Sequence, residues 1–192
     1  MPNWCENRVT ISGDKDDIRE VRRVLQDDNG YGTLTEFSYH ALIPMPKELI
    51  GTCSPARVLD TEEEVEQTIK EQMENYPTQY QMMGRPISRA TQAELISKYG
   101  SDNWYDWCYE HWGVKWATGD DVNMSSDVGY LQYEFDSPWG PPEPVYQALV
   151  ARFPNVAIEW FYEEPDMGLT GYLPMPPASM TFTEYVKELG LR

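Results

Sequence analysis

The sequence predicts an α+β fold: a ferredoxin-like antiparallel sheet in split βαβ order, helices on one face, and a helical insertion between the second and third core strands. Three observations lead there. Apolar residues alternate with polar ones in short runs near both ends of the chain, the period of a half-buried strand. Amphipathic stripes of helical period follow the first of these runs and precede the last. The middle third has little alternation, and its helical stretches open with a hydroxyl residue three positions before a carboxylate.

The first strand covers 7–12, with Val9 and Ile11 on one face, and Gly13 and Asp14 turn the chain into a helix over 15–25. Ile18, Val21 and Leu25 form its apolar stripe, and the Asp- and Gly-rich tract 27–32 ends it. A second strand is expected over 36–42, stopped by Pro44 and Pro46. Thr61 and Glu64 read as a capping box opening a helix to about residue 76, with Val65, Ile69 and Met73 four apart. Residues 77–86 read as loop; Thr91 and Glu94 open a shorter helix that Gly100 can end in a left-handed cap. A third helix over 103–112 ends at Gly113, and short strands at 114–117 and 122–124 flank a turn at 119–121.

Leu131, Tyr133 and Phe135 mark a strand over 130–136; Pro141 and Pro142 suit a helix start, and that helix carries Val145, Leu149 and Val150 to about 153. Val156, Ile158, Trp160 and Tyr162 alternate over 156–162, a strand with which 168–173 can form a hairpin. Thr181 and Glu184 cap a terminal helix containing Tyr185, Val186 and Leu189. The expected organisation is one domain over 1–192, with a mainly helical insertion at 47–128 and a helical tail at 174–192.

Seven Trp, thirteen Tyr and five Phe supply a core, since each ring buries about 150–250 Å². Three cysteines (Cys5, Cys53 and Cys108), odd in number and widely spaced, argue for a reducing compartment and against a disulfide framework. Residues 1–20 lack the apolar core of a signal peptide, and no apolar run is long enough for a membrane helix. A cytoplasmic protein is expected. The formal charge of −17 disfavours phosphate backbones and anionic membranes as partners, because Lys and Arg must displace counterions there. It suits a host protein with a basic surface. The candidate interaction surface is the run Asp60, Glu62, Glu63, Glu64 and Glu66, at a helix N-terminus where macrodipole attraction alone also accounts for acids.

Chemistry is sparse. Trp104, Trp107, Cys108, His111 and Trp112 fall at helical spacing; they can form a buried face, or rings that stack bases of a single-stranded nucleic acid. Cys108 and His111 lie one turn apart and Cys5 can join them, an alternative metal-binding or enzymatic centre, but structural zinc takes four recurrently spaced ligands. Asp120 with Asp121, and Glu163 with Glu164, are adjacent pairs that point apart on a strand or face water in a turn. Phosphate-binding, nucleophile-elbow and zinc-protease motifs are absent from the sequence. No catalytic residue, metal ligand or cofactor is assigned.

Four ordered tracts resemble a known family. Met1-Pro-Asn-Trp4-Cys5-Glu-Asn-Arg-Val-Thr-Ile-Ser-Gly13, Tyr105-Asp-Trp-Cys108 through Trp112-Gly-Val-Lys-Trp116, Phe135-Asp-Ser-Pro-Trp-Gly-Pro-Pro142 and Tyr162-Glu-Glu-Pro165 are similar to the YubB-type proteins. That resemblance implies a phage- or plasmid-borne protein with a ferredoxin-like domain, of unassigned activity, and no catalytic residues carry over. The expected function is a non-enzymatic accessory protein of a mobile genetic element that binds a host protein through an acidic surface.

Overall fold

A computed structural model describes residues 3–28, 32, 34–117 and 121–175. Strand β1 (Trp4–Ser12) alternates along its length: Cys5, Asn7, Val9 and Ile11 are buried, while Trp4, Glu6 and Arg8 face outward. Asp14 accepts a hydrogen bond from the Asp16 amide and so caps helix α1 (Lys15–Leu25). Its stripe of Ile18, Val21 and Leu25 is buried, as the spacing requires. A two-residue ladder then joins β2 (Asp27–Asp28) to β3 (Leu34–Thr35).

The strand expected over 36–42 does not form. Ser38 Oγ accepts from the Ala41 amide and donates to the Asp28 carbonyl, capping the short helix α2 (Tyr39–Leu42). Phe37 and Tyr39 are both buried, but through a turn that a local hydroxyl stabilises.

The middle of the chain holds β4 (Val58–Leu59), α3 (Glu62–Asn75), α4 (Tyr80–Met83), β5 (Ile87–Ser88), α5 (Arg89–Tyr99) and α6 (Trp104–His111). The parallel bridge of β4 with β5 ties the starts of α3 and α5 together. Thr61 caps α3 by accepting from the Glu64 amide, and the Glu64 carboxylate accepts from the Asp60 amide, one residue earlier than a capping box would have it. Two expectations change here. The cap of α5 is Ser88, with Thr91 inside the helix, because Ser88 Oγ accepts from the Thr91 amide. Part of the expected loop 77–86 is the one-turn helix α4. Gly100 ends α5 in the left-handed conformation, as expected.

The last third contains β6 (Asn123–Asp127), β7 (Tyr130–Pro138), α7 (Glu143–Arg152), β8 (Ala157–Glu164) and β9 (Leu169–Tyr172). Residues 114–117 are not a strand; Gly113 turns at positive φ, and Val114 and Ala117 are buried by side-chain packing without ladder pairing. The hairpin turn is Val128-Gly129, where φ is +74° and an added Cβ would lie 2.8 Å from the Gly13 carbonyl oxygen. Residues 118–120, most of the expected turn, and the tail helix of 181–189 lie outside the described residues.

These strands form one antiparallel sheet in the order β6-β7-β1-β8-β9. Val9 sits opposite Tyr133 on one side and Trp160 on the other. The inward side chains form one core with Ile18, Val21 and Leu25 of α1 and Val145 and Leu149 of α7. Buried Asn7 is satisfied within it: its amide donates to the Cys5 carbonyl and Ser137 Oγ, and its oxygen accepts from Trp160 Nε1. A sheet with one face buried leaves the outward residues of every strand on the other, and that face carries the site.

Candidate functional site

On the open face the register sets side chains in transverse rows. Glu6 lies opposite Asp136 of β7 and also opposite Glu163 of β8, so three carboxylates line up across three adjacent strands. Directly opposed like charges destabilise a sheet. Among the described residues, no hydrogen bond or ion pair engages these three carboxylates. Partial burial, and then the nearby Asp121 carboxylate, push the Asp136 carboxyl above its usual range.

The neighbouring row has a different character. Arg8 lies opposite Glu134 and Phe161, its Nε 3.2 Å from Glu134 Oε1 and its guanidinium 5.8 Å from the Phe161 ring centroid. On the far side of the carboxylate row stands Trp4, whose ring meets Trp116 at 6.2 Å and 56°. Lys115 Nζ lies 4.5 Å from the Trp116 centroid. Apart from Lys115, these residues line a groove of about 700 Å³, within the size range of ligand sites, that also takes in Asp121, Asn123 and Ala117. Five carboxylates face one guanidinium in its lining. The arrangement can neutralise a cation and offer it flat rings.

The acids picked out in the sequence lie elsewhere. Asp60 pairs with Arg89 at 2.8 Å. Glu62 Oε1 accepts from Ser88 Oγ and from Thr91 Oγ1, and these bonds, Ser88 first, hold its carboxyl below the usual range. Glu64 accepts from the Asp60 amide, while Glu63 and Glu66 are exposed. Thus Asp60, Glu62 and Glu64 come together around the start of α3, bonded within the chain. The carboxylate row is not legible in the sequence because Glu6 lies more than a hundred residues from both Asp136 and Glu163. The available signal was the alternation of β1, which puts Glu6 opposite in facing to Val9 and Ile11.

The other candidates do not converge. Cys5 is fully buried, and burial foremost pushes its thiol up to about 12, leaving it protonated at neutral pH. Cys108 is buried too, and His111 stacks on Trp107 at 4.3 Å. Among the described residues no group of three or more His, Cys, Asp or Glu is arranged to hold a metal ion. Trp107 and Trp112 are core residues, Trp112 Nε1 donating to the Ile43 carbonyl. No described helix is long and apolar enough to cross a membrane.

Comparison with known proteins finds similarity over part of the chain. The chain is 35% identical over 69 residues to the Escherichia coli (strain K12) protein named uncharacterized protein YubB, a match covering 35% of this chain and 48% of that protein. This chain therefore spans about half the length of the curated relative it matches. It is also similar to the crystal structure of a protein api92 from Yersinia pseudotuberculosis, with 15% identity, a TM-score of 0.45, and coverage of 90% of this chain and 93% of that one. Over residues 111–188 the chain matches the family model described as the ferredoxin-like domain in Api92-like protein, and a ferredoxin-like domain with an antiparallel sheet is the common ground of match and fold.

Proposed function

We propose that the protein is a non-enzymatic accessory protein of a mobile genetic element, acting in the cytoplasm by binding a host protein with a basic surface. The phage or plasmid setting rests on the resemblance to YubB-type proteins. The observation that supports the binding role is the row Asp136–Glu6–Glu163 on the sheet face opposite α1 and α7. Like charges held opposite one another lower stability unless something cationic meets them, and a protein tolerates such a cost at a functional site. The acids at the start of α3 are the second acidic surface, and their internal bonds make them the weaker contender. A split βαβ frame running β1, α1, β6, β7, α7, β8 accompanies this proposal, supported by the strand order; its interruption falls between α1 and β6.

A paired capture experiment tests the proposal. Tagged wild-type chain, a Glu6→Gln/Asp136→Asn/Glu163→Gln variant and a Glu62→Gln/Glu63→Gln/Glu66→Gln variant are each incubated with host lysate at low and physiological salt. The expected result is a basic protein retained by wild type and by the α3 variant, lost by the sheet variant, and weakened by salt. A partner that survives the sheet substitutions, or whose retention ignores salt, overturns it.

A further inference from the structure

The chemistry of the groove narrows the kind of group that fills it. Two features stand side by side there: flat aromatic surface, from Trp4 with Trp116 and from Phe161, and carboxylates, from Glu6, Asp136 and Glu163. An ammonium can also meet a ring, as Lys115 meets Trp116 at 4.5 Å, but it is a compact point charge that cannot lie flat on the ring and donate paired, coplanar hydrogen bonds to a carboxylate. A guanidinium uses both, stacking through its plane and donating two parallel hydrogen bonds to one carboxylate. The chain supplies its own example in the next row, where the Arg8 guanidinium lies 5.8 Å from the Phe161 centroid while its Nε bonds Glu134. In the carboxylate row the acids and the ring are present, and no guanidinium of the described residues bonds them.

We propose that the groove receives an arginine side chain projecting from the surface of a partner protein, its guanidinium against Trp4 and its hydrogen bonds directed to the Asp136–Glu6–Glu163 row. This rests on the binding role proposed above and adds the chemical identity of the anchoring group. Trp4 is two residues from Glu6 on the same strand face and diagonal to Asp136, a separation of about 7–8 Å that an aromatic side chain spans. Calcium is a poorer occupant, since it takes six to eight converging oxygens. One carboxylate per strand at the roughly 4.8 Å strand spacing does not converge, and no three acids are arranged around a common point among the described residues. A protein-borne arginine suits the open groove better than a free small molecule. Trp4 and Trp139, each nearly half exposed, sit at the same end of the sheet, where the Trp139 amide donates to the Asn3 carbonyl at 2.9 Å. Exposed tryptophan is enriched at the centres of protein interfaces, where arginine is also among the commonest anchors.

Asp136 offers a second readout. Its carboxyl is held above the usual range by burial first and by Asp121 second, and the groups facing it are Glu6 on β1 and the Asp121 carboxylate. An incoming guanidinium favours the ionised form, so binding weakens as pH falls through the carboxylate range.

Calorimetric titration of the full chain tests the proposal with two peptides matched in length and charge, one carrying arginines and the other lysines, alongside free arginine and calcium chloride. Wild type is expected to bind the arginine peptide about fivefold or more tighter than the lysine peptide. Trp4→Ala, at an exposed position, is expected to remove that preference, and Glu6→Gln to weaken both peptides while the melting temperature rises. Equal affinity for the two peptides, or a preference that survives Trp4→Ala, overturns the arginine assignment and leaves an acidic binding face standing. Free arginine or calcium binding as tightly as the arginine peptide overturns the protein-borne guanidinium. If neither peptide binds wild type at low salt, the binding role of the sheet face fails as well.

Discussion

Glu6 sits between two carboxylates, and that position makes opposite demands on stability and binding. Glu6→Gln removes a like charge from each cross-strand pair, so thermal denaturation should show a gain of about 0.2–1 kcal/mol. A loss of stability would mean the row is compensated within the chain. Asp136 adds a pH signature. The folded protein holds its proton more tightly than the unfolded chain, so stability falls as pH rises from the ordinary carboxylate pKa to the raised one. Urea titrations across that interval should show this slope in wild type and a shallower one in Asp136→Asn. Glu164 presents a different residue-scale problem. It is fully buried; one oxygen accepts from the Met167 amide and Oε1 has no partner among the described residues. Glu164→Gln keeps the acceptor and removes a buried carboxylate, so it should leave the melting temperature unchanged or raised; a loss above about 2 kcal/mol would point to a partner for Oε1.

At the scale of elements, the helix starts decide how the middle of the chain is arranged. Ser88 caps α5, and both Ser88 and Thr91 donate to the Glu62 carboxylate at the first turn of α3, so one hydroxyl serves two helices. Ser88→Ala should cost about 1–2 kcal/mol, the upper range for a cap, and chemical denaturation would measure it. Losing only a few tenths would show that Thr91 carries the junction. Helix α6 is anchored by its rings: Trp112 is fully buried, lies 5.9 Å from Tyr39, and donates to the Ile43 carbonyl. Trp112→Ala should cost about 3–5 kcal/mol. Near-wild-type melting of that variant would contradict its core role. The aromatic period of 103–112 was legible because a buried helix face needs only local spacing. The strand expected at 36–42 failed because Ser38 closes a local hydrogen bond that outcompetes extension, and alternation cannot register that competition.

Across the whole molecule the charge of −17 is a bulk property, and only its arrangement says where it acts. The sequence by itself determined the strands with strong alternation, 7–12, 130–136 and 156–162, the stripes of α1 and α7, and an acidic, aromatic-rich composition. Each of these is written in near-neighbour spacing, because side chains two or four residues apart already share a face before any long-range contact exists. The acidic run at 60–66 is legible in the sequence as well, because those acids are contiguous. Only the tertiary structure brought Glu6, Asp136 and Glu163 into one row, gave β7 its edge partner β6, and set Trp4 against Trp116. The reason is strand register. It is fixed when the buried faces of β1, β7 and β8 pack around Trp160 and Tyr133, and a slip of one residue would turn every outward carboxylate into the core.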